Sequence, residues 1–377
     1  MSKLLLGDVA IERKETCKED KNGFPIVGLE HLTPEEVTLS NWDEDKVNTF
    51  TKIFYKGDVL FGRRRAYLKK AAVAPFDGIC SGDITVIKAI PERIIPELLP
   101  FIIQNDSFFQ YAVGKSAGSL SPRVKWEHLR NYEFKLPSIS KQRELAKIFW
   151  VMEETKKSYQ KLLQLSNELI KSQFIELFGI PGTDSHGWGL TSLGECCVIN
   201  PRKPKDMNTD VDYSFVAMTS VSGDGRIDAT VIRPYSEIYK GFTYFAENDV
   251  LFAKITPCME NGKGGVATGL HNGSGFGSTE FHVLRPIEYT SNPYWLYAIT
   301  MFQKFRSDAE KVMTGTGGQR RVPTTYLSEY QIALPPIEMQ EQFAAFIRQS
   351  DKSKFELEQT LVELTGTYKK LMSENFG

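Results

Sequence analysis

The hydrophobic positions of the chain follow two different periods. Two longer segments, 138–179 and 336–377, space their apolar residues by three and four, which predicts one long helix in each. Elsewhere, short apolar runs between glycine and proline turns predict β-strands, with an apolar helical stretch in each half. These runs include residues 24–29, 57–62, 84–89, 132–137 and 281–286. The pattern therefore predicts mixed α and β globular parts that alternate with long helices.

The apolar residues of the two long segments form a stripe typical of coiled coils. In the second segment they step by 4, 3, 4 and 3. A helix of about 38 residues spans roughly 57 Å, far longer than one small domain needs. We expect the helices to pair or to dock a partner through Leu145, Ile148, Met152, Tyr159, Leu162 and Leu169 in the first segment, and Leu357, Leu361, Leu364, Tyr368 and Leu371 in the second. The alternative is that each helix packs only on its own domain.

Internal repeats indicate that one unit occurs twice. Residues 58–61 recur unchanged as 249–252, an offset of 191, and Phe178-Gly179 recurs at the end of the chain, an offset of 198. The offsets grow from 187 to 198 along the chain, as expected of two copies that differ by small insertions. The sequence thus predicts an α+β protein with two mixed α/β domains in tandem and two long helices that pair as an antiparallel coiled-coil spacer. The expected parts are a first domain at 1–137, a central helix at 138–179, a linker at 180–187, a second domain at 188–335 and a final helix at 336–377.

Composition narrows the class of protein. The chain has 377 residues, 41% hydrophobic and 25% charged, with a formal net charge of −1, which is typical of globular proteins and argues against disorder. Its first residues lack the apolar run of a signal peptide, and no stretch of about 18 apolar residues exists. We therefore expect a soluble, cytoplasmic protein. Five cysteines without a Cys-x-x-Cys pair predict reduced, mostly buried thiols and no metal site.

Two pairs of loops carry candidate DNA contacts. Residues 63–70 hold five cations and one aromatic residue directly after a predicted strand, and their counterpart at 253–263 is less basic. Residues 114–123 and 314–321 combine small residues, which let backbone N–H groups approach a phosphate, with Lys and Arg. The candidates are Arg63, Arg64, Arg65, Tyr67, Lys69, Lys70, Lys115 and Arg123 in the first copy, and Lys254, Lys263, Gln319, Arg320 and Arg321 in the second. The alternatives are a solvated basic run and flexible turns with incidental charges.

Two pairs of acids also recur. Asp58 and Asp249 precede the repeated strand, where we expect them to form a turn. Asp83 and Glu280 occupy matched positions and could orient a basic side chain or accept a hydrogen bond from a cytosine amino group.

No catalytic motif stands out in the sequence. Asn292-Pro293-Tyr294-Trp295 is similar to the Asn-Pro-Pro-Tyr motif of adenine methyltransferases, but its second proline is missing and no glycine-rich adenosylmethionine loop precedes it. The five histidines do not match between the copies, and no Ser-His-Asp order is compelling. We expect Asn292 to begin a structural helix, and we expect no catalysis by this chain.

Taken together, these features resemble the specificity subunit of type I restriction-modification systems. The resemblance rests on Leu-Gly-Asp or Leu-Gly-Glu near each start, Asp-Val-Leu-Phe in each domain, and Leu-Pro followed by a glutamine-containing helix. Residues 57–87 resemble one common class of target recognition domain in that family, and residues 249–267 with 275–286 resemble another. The resemblance covers nearly the whole chain.

This resemblance implies a DNA-reading scaffold without its own chemistry. Each domain would read one half of a bipartite site on double-stranded DNA, and the differing loops suggest two different half-sites. The helices would set the gap and dock two modification (methyltransferase) subunits, which in turn support restriction (endonuclease and translocase) subunits. S-adenosylmethionine, ATP and magnesium are implied for those partners, and no cofactor is expected here. The alternatives are a tandem protein-interaction scaffold with incidental basic loops, or the recognition part of a single-chain restriction enzyme, for which 377 residues leave no room.

Overall fold

The computed structural model describes residues 3–17, 23–44 and 49–377, in two compact units. Unit 1 comprises residues 1–160 and 358–377, and unit 2 comprises residues 161–357. Both boundaries fall inside long helices, so each unit combines one globular part with a segment of each long helix.

The described residues of unit 1 form three small sheets. Its central antiparallel sheet has the strand order Ala10–Glu12, Ile84–Ala89, Val59–Gly62, Ala71–Val73. A second sheet has the order Ile26–Val27, Gly78–Cys80, Lys52–Phe54, with the first pair parallel. Lys3–Leu5 pairs with Glu133–Lys135. The α-helices of the globular part are Leu6–Val9, Leu99–Ile103, Asp106–Gly114 and Trp126–Leu129, with short 3-10 turns at Ala66–Leu68 and Pro96–Leu98.

Unit 2 repeats this plan, and its second sheet has four strands where the described part of unit 1 has three. Its central antiparallel sheet has the order Cys197–Ile199, Phe281–Pro286, Val250–Ala253, Gly264–Val266. The second sheet has the order Ile232–Pro234, Asp212–Val216, Ser274–Gly277, Thr243–Ala246, with the middle pair parallel. Leu190–Ser192 pairs with Gln331–Ala333. Its α-helices are Leu193–Cys196, Tyr235–Ile238, Pro293–Met301, Gln303–Val312 and Thr324–Glu329, with 3-10 turns at Met218–Ser220 and His271–Gly273.

The repeated Asp-Val-Leu-Phe strand is buried on both faces. Side chains alternate across a strand, so Val59 and Phe61 pack with the helices while Leu60 packs toward the second sheet. In unit 2, Phe252 and Leu251 divide between two hydrophobic clusters in the same way. This double burial explains why the strand reads as a continuous apolar run and does not alternate with polar residues.

Each long helix begins within two residues of a proline, Pro137 for the first and Pro336 for the second. The first long helix runs from Ile139 to Phe178 and the second from Ile337 to Phe376. Gly179 follows the first helix with φ +77°, the left-handed conformation that commonly ends helices. One buried glutamine joins each helix to its globular part. Gln142 accepts from the N–H of Ile95, and Gln340 accepts from the N–H of Asn292.

Aromatic contacts within each unit show how the long helices pair. In unit 1 the Phe149 ring lies 5.6 Å from Tyr368 and 5.9 Å from Phe376. In unit 2 the Phe174 ring lies 5.5 Å from Phe343. The start of one helix thus packs on the end of the other in both units, which is the antiparallel pairing that the sequence predicts.

The observed seam corrects part of the expected stripe. Leu145 is buried, but Ile148, Leu162 and Leu169 lie exposed on the helix surface, with Leu162 46% and Leu169 53% accessible. Ile170 and Phe174 pack into the hydrophobic cluster of unit 2 in their place. Helix pairing through Ile148, Leu162 and Leu169 is therefore wrong, and their expected role in docking a partner stays a prediction. The other expected stripe residues are partly buried: Met152, Tyr159, Leu357, Leu361, Leu364, Tyr368 and Leu371.

Candidate nucleic-acid interface

The basic run of unit 1 forms a tight turn after the repeated strand. Ala66 is buried and begins a 3-10 turn, whereas Arg65 and Tyr67 are exposed. Arg65 and Lys69 flank this turn with φ of 56° and 51°, left-handed conformations that cost about 1–2 kcal/mol each in residues other than glycine. Such strain is often found at functional sites.

Several cations of this run are held by the protein. The Lys69 ammonium lies 2.6 Å from Asp106 and 3.2 Å from Glu35, and its hydrogen bond to Asp106 raises the pKa of Lys69. Lys70 donates to the carbonyl oxygen of Leu29 at 2.7 Å. The exposed Arg65 and Tyr67 are thus better placed than Lys69 and Lys70 to meet a ligand.

The basic run and the glycine-containing loop are neighbours in unit 1. The N–H of Arg65 donates to the carbonyl of Pro122, and the N–H of Val124 donates to the carbonyl of Arg63. Arg64 donates to the Ser121 hydroxyl at 3.0 Å. The structure therefore joins two loops that are about 60 residues apart in the chain.

Unit 2 repeats this backbone pattern with different side chains. The N–H of Thr256 donates to the carbonyl of Arg320 at 3.0 Å, and the N–H of Val322 donates to the carbonyl of Lys254 at 2.9 Å. Val124 and Val322 follow matched arginines, Arg123 and Arg321, in the two copies. Both units thus contain the same backbone arrangement, here called the frame, which joins the segment after the repeated strand to the loop that carries the matched arginine. The side chains of that segment, 63–70 in unit 1 and 253–263 in unit 2, differ between the units.

One carboxylate in each unit holds the matched arginine. Asp83 accepts two hydrogen bonds from Arg123, at 2.7 and 3.1 Å, and Glu280 accepts two from Arg321, both at 2.8 Å. This bidentate contact lowers the pKa of Asp83 and that of Glu280. Of the two roles expected for these acids, the structure displays the first, the orientation of a basic side chain.

The remaining candidates differ in accessibility. Lys115 is exposed and lies 5.7 Å from the Tyr111 ring, and Gln319 is exposed on its loop. Lys263 donates to the carbonyl of Met218 at 2.9 Å, and burial lowers the pKa of Lys254. Arg320 lies within 3.5 Å of Glu310. Like Lys70, Lys263 serves the protein's own structure.

Two further arginines hold the acids that precede the repeated strand. Asp58 and Asp249 accept from the N–H groups of Tyr55 and Ala246, as expected of turn-forming residues. Asp58 also pairs with Arg13 at 2.7 Å, and Asp249 with Arg285 at 2.7 Å. Sequence reasoning missed both arginines, because they come from different positions in the two copies.

Other expected chemistry is also placed by the structure. Asn292 caps the helix Pro293–Met301 by accepting from the N–H of Tyr294 at 2.9 Å, so it begins a structural helix as expected. Within residues 3–17, 23–44 and 49–377, no group of three or more His, Cys, Asp or Glu is arranged to hold a metal ion. Among the helices of that same part of the chain, none combines the length and apolar character needed to span a membrane.

Comparison with known sequences relates the chain to one family. The family model for the type I restriction modification DNA specificity domain matches it twice, at residues 5–166 and 186–364. The EcoEI specificity subunit of Escherichia coli is 40% identical over 152 residues, which are 40% of this chain and 25% of that protein. The EcoAI specificity subunit of Escherichia coli is 36% identical over 156 residues, 41% of this chain and 26% of that protein. The matched part thus spans about a quarter of these relatives.

Solved structures share the fold. The S subunit of a type I restriction-modification system from M. genitalium aligns with a TM-score of 0.59 at 13% identity, over 100% of this chain and 96% of that chain. A chain from a study of complex assembly and conformational transition in the type I R-M system aligns with a TM-score of 0.55 at 22% identity, over 99% and 97% of the two chains. At such identities the likeness establishes the fold alone.

Proposed function

The chain belongs to the family of type I restriction modification DNA specificity domains, and on this premise we propose that it reads double-stranded DNA as the specificity subunit of a type I restriction-modification complex. One observation carries the proposal. Both units build the same frame from two neighbouring loops and an acid-held arginine, and on that frame they present different segments, 63–70 and 253–263. A constant frame with a variable reading segment is what two half-site readers of one origin require.

The charges on the two segments support an asymmetric target. Unit 1 presents the exposed Arg65 and Tyr67, whereas unit 2 presents a less basic segment that includes Glu260. Arginine pairs with guanine edges and with phosphates, while a carboxylate accepts from a cytosine amino group. The two half-sites are therefore expected to differ in sequence.

The long helices serve as the spacer and as the dock in this proposal. Leu162, Leu165 and Leu169 are exposed and separated by three and four residues, so they share one face of the first long helix within unit 2. An exposed apolar row of this kind suits a partner helix. We assign it to modification (methyltransferase) subunits, which in turn support restriction subunits in the cytoplasm.

Catalysis belongs to the partners in this proposal. S-adenosylmethionine would bind the methyltransferase subunits, and ATP with magnesium the restriction subunits. This chain would supply sequence recognition, geometry and docking.

The salt dependence of DNA binding tests the proposal. The chain is purified with its methyltransferase partner, and the affinity for duplex DNA is measured at increasing salt. Affinity should fall steeply, and Arg65→Ala should weaken it about tenfold and lower the salt slope by about 0.9 if one phosphate contact is lost. Arg93→Ala removes an exposed arginine of unit 1 outside the two loops and should leave both quantities unchanged. A DNA affinity that changes neither with salt nor in Arg65→Ala would favour the protein-interaction scaffold.

A further inference from the structure

A buried arginine lies behind the variable segment of unit 2. Arg306 is on the helix Gln303–Val312 and is only 5% exposed. Burial lowers the pKa of Arg306 to about 10, so the guanidinium remains charged near neutral pH. A buried charge of this kind is costly, and hydrogen bonds from the guanidinium offset part of that cost.

Arg306 directs its two terminal nitrogens, Nη1 and Nη2, at the backbone of the segment 255–263. It donates to the carbonyl oxygen of Met259, and to that of Gly262 at 3.1 Å. Its guanidinium also lies 5.5 Å from the ring of Phe252, on the strand that leads into the segment. The segment also forms four backbone hydrogen bonds within itself, among them the N–H of Asn261 to the carbonyl of Pro257 at 3.0 Å, and Arg306 adds bonds that tie this turn to the helix behind it. Arg306 thus fixes the turn from the inside of the domain.

Unit 1 has an apolar side chain at the position that matches Arg306. The offset of 197 that aligns Phe108 with Phe305 also aligns Phe109 with Arg306. Phe109 is buried and stacks on Phe61 with ring centroids 5.8 Å apart. The repeated strand and the helix that packs on it are therefore equivalent in the two units. At the matched position of that helix, unit 1 has Phe109 and unit 2 has Arg306.

The turn that Arg306 holds is connected to the candidate interface of unit 2. The hydroxyl of Thr256 donates to Glu260 at 2.8 Å, and the N–H of Thr256 donates to the carbonyl of Arg320. Arg320 also lies 3.9 Å from Glu260. A shift of the turn would therefore move several groups that face the proposed DNA site.

We propose that Arg306 is the positioning residue for the second half-site: from behind the segment 255–263 it fixes the conformation in which that segment reads base pairs, without touching DNA itself. Phe109 holds the corresponding place in unit 1. The specificity part rests on the proposed function, whereas the anchoring of the segment does not.

Two substitutions at position 306 and one neighbouring control test the proposal. Arg306→Met keeps an unbranched side chain and removes every donor, and Arg306→Lys keeps the charge with a single donor group. Phe305→Leu is the matched control, because Phe305 is buried beside Arg306 and packs on Phe252 without a side-chain hydrogen bond to the segment. Each full-length variant is expressed with its partner methyltransferase in a methylation-free host, and methylated sites are mapped.

Relaxed recognition confined to one half-site is the expected result. A mismatched base pair normally weakens binding about 5- to 150-fold. For Arg306→Met we expect this discrimination to drop below about threefold at one or more base pairs of the second half-site, with the first half-site unchanged. Arg306→Lys should restore part of it. Phe305→Leu should lower total methylation without changing the preferred bases. Unchanged preferences in Arg306→Met, or equal relaxation in Phe305→Leu, would overturn the proposal.

Amide hydrogen exchange on the same purified complexes separates the two levels of the proposal. Arg306→Met should speed exchange at Met259, Asn261 and Gly262 at least tenfold, and Phe305→Leu should not do so selectively. If exchange there is unaltered, Arg306 does not anchor the segment. If wild type methylates no bipartite site, the proposed function and the specificity role fall together, and exchange still decides the anchoring.

Discussion

At the scale of single residues, two carboxylates at matched positions restrain the cations of the candidate interface. Asp83 holds Arg123 and also lies 3.7 Å from Arg64. Asp83→Asn removes a negative charge and releases these arginines toward phosphates, so we expect tighter non-specific binding, a salt slope steeper by about 0.9 per phosphate gained, and poorer discrimination at the first half-site. Glu280→Gln is the matched variant and should affect the second half-site alone. Identical salt slopes for wild type and both variants would contradict this role.

The same carboxylates make the stability of the protein depend on pH. Their folded-state pKa values are lowered by Arg123 and Arg321, so their contribution is present above the ordinary carboxyl pKa of about 4 and is lost as pH falls through the lowered values. Asp83→Asn should reduce the free energy of unfolding at neutral pH by about 1 kcal/mol or less, because the ion pair is open to solvent, and the difference from wild type should shrink as pH falls below about 4. Urea unfolding across this range measures it, with the exposed Asp206→Asn as control. A difference that persists at low pH would show that the ion pair is not its cause.

The repeat explains which residue contacts could be predicted from the sequence. Asp83 and Glu280 stand out because both copies keep an acid there, although the sequence does not reveal that Arg123 and Arg321 are their partners. Arg13 and Arg285 are not identified from the sequence because the matched acids, Asp58 and Asp249, are held from different places: Arg13 follows the strand Ala10–Glu12, whereas Arg285 lies on the strand Phe281–Pro286. Arg306 is not identified from the sequence because the matched residue of the first copy is Phe109, so the comparison of the two copies shows no shared residue at this position.

At the scale of elements, the long helices are predicted well and their seam less so. Helical periodicity and the flanking prolines locate Ile139–Phe178 and Ile337–Phe376 within one residue at each end. The first helix, however, carries two apolar rows with similar spacing, and the pattern alone does not say which row faces its partner helix. Tyr368 contacts Phe149 and Phe343 contacts Phe174, so the row that contains Phe149 and Phe174 is the one that faces the second long helix.

A pair of alanine substitutions distinguishes the seam from the exposed row. Phe174→Ala removes a buried ring and should lower the free energy of unfolding by about 3–5 kcal/mol. Leu169→Ala changes an exposed residue of the same helix and unit, and should change that free energy by less than about 0.5 kcal/mol while weakening co-purification of the methyltransferase. Chemical unfolding and pull-down measure the two effects. Full retention of the methyltransferase by Leu169→Ala would argue against docking at this residue.

Lengthening both helices tests their role as a spacer. Seven residues inserted after Gln160 and seven after Leu357 preserve the heptad register and add about 10.5 Å of helix. At about 3.4 Å per base pair, the gap between the half-sites should grow by about three base pairs. Insertion into the first helix alone is the control, since it destroys the register and should abolish recognition. Methylated motifs report the gap, and an unaltered gap with both insertions would refute the spacer role.

At the scale of the whole molecule, the tandem plan can be predicted from the sequence, but the sheets within each unit cannot. Growing offsets between matched residues reveal two copies because insertions leave their order intact. Strands as short as Lys52–Phe54 and Gly78–Cys80 carry too few residues for their hydrophobic periodicity to be recognised. Their pairing is also non-local, since Ile26 lies opposite Ile79, so it depends on tertiary packing more than on local pattern.

The central claim is that this chain selects a bipartite, asymmetric DNA site for a methyltransferase. A genome-wide map of methylated adenines, made in the source cell with and without this gene while the methyltransferase is expressed, tests it most directly. We predict that one motif with two different halves and a fixed gap disappears when the gene is removed. Survival of every methylated motif would contradict the claim.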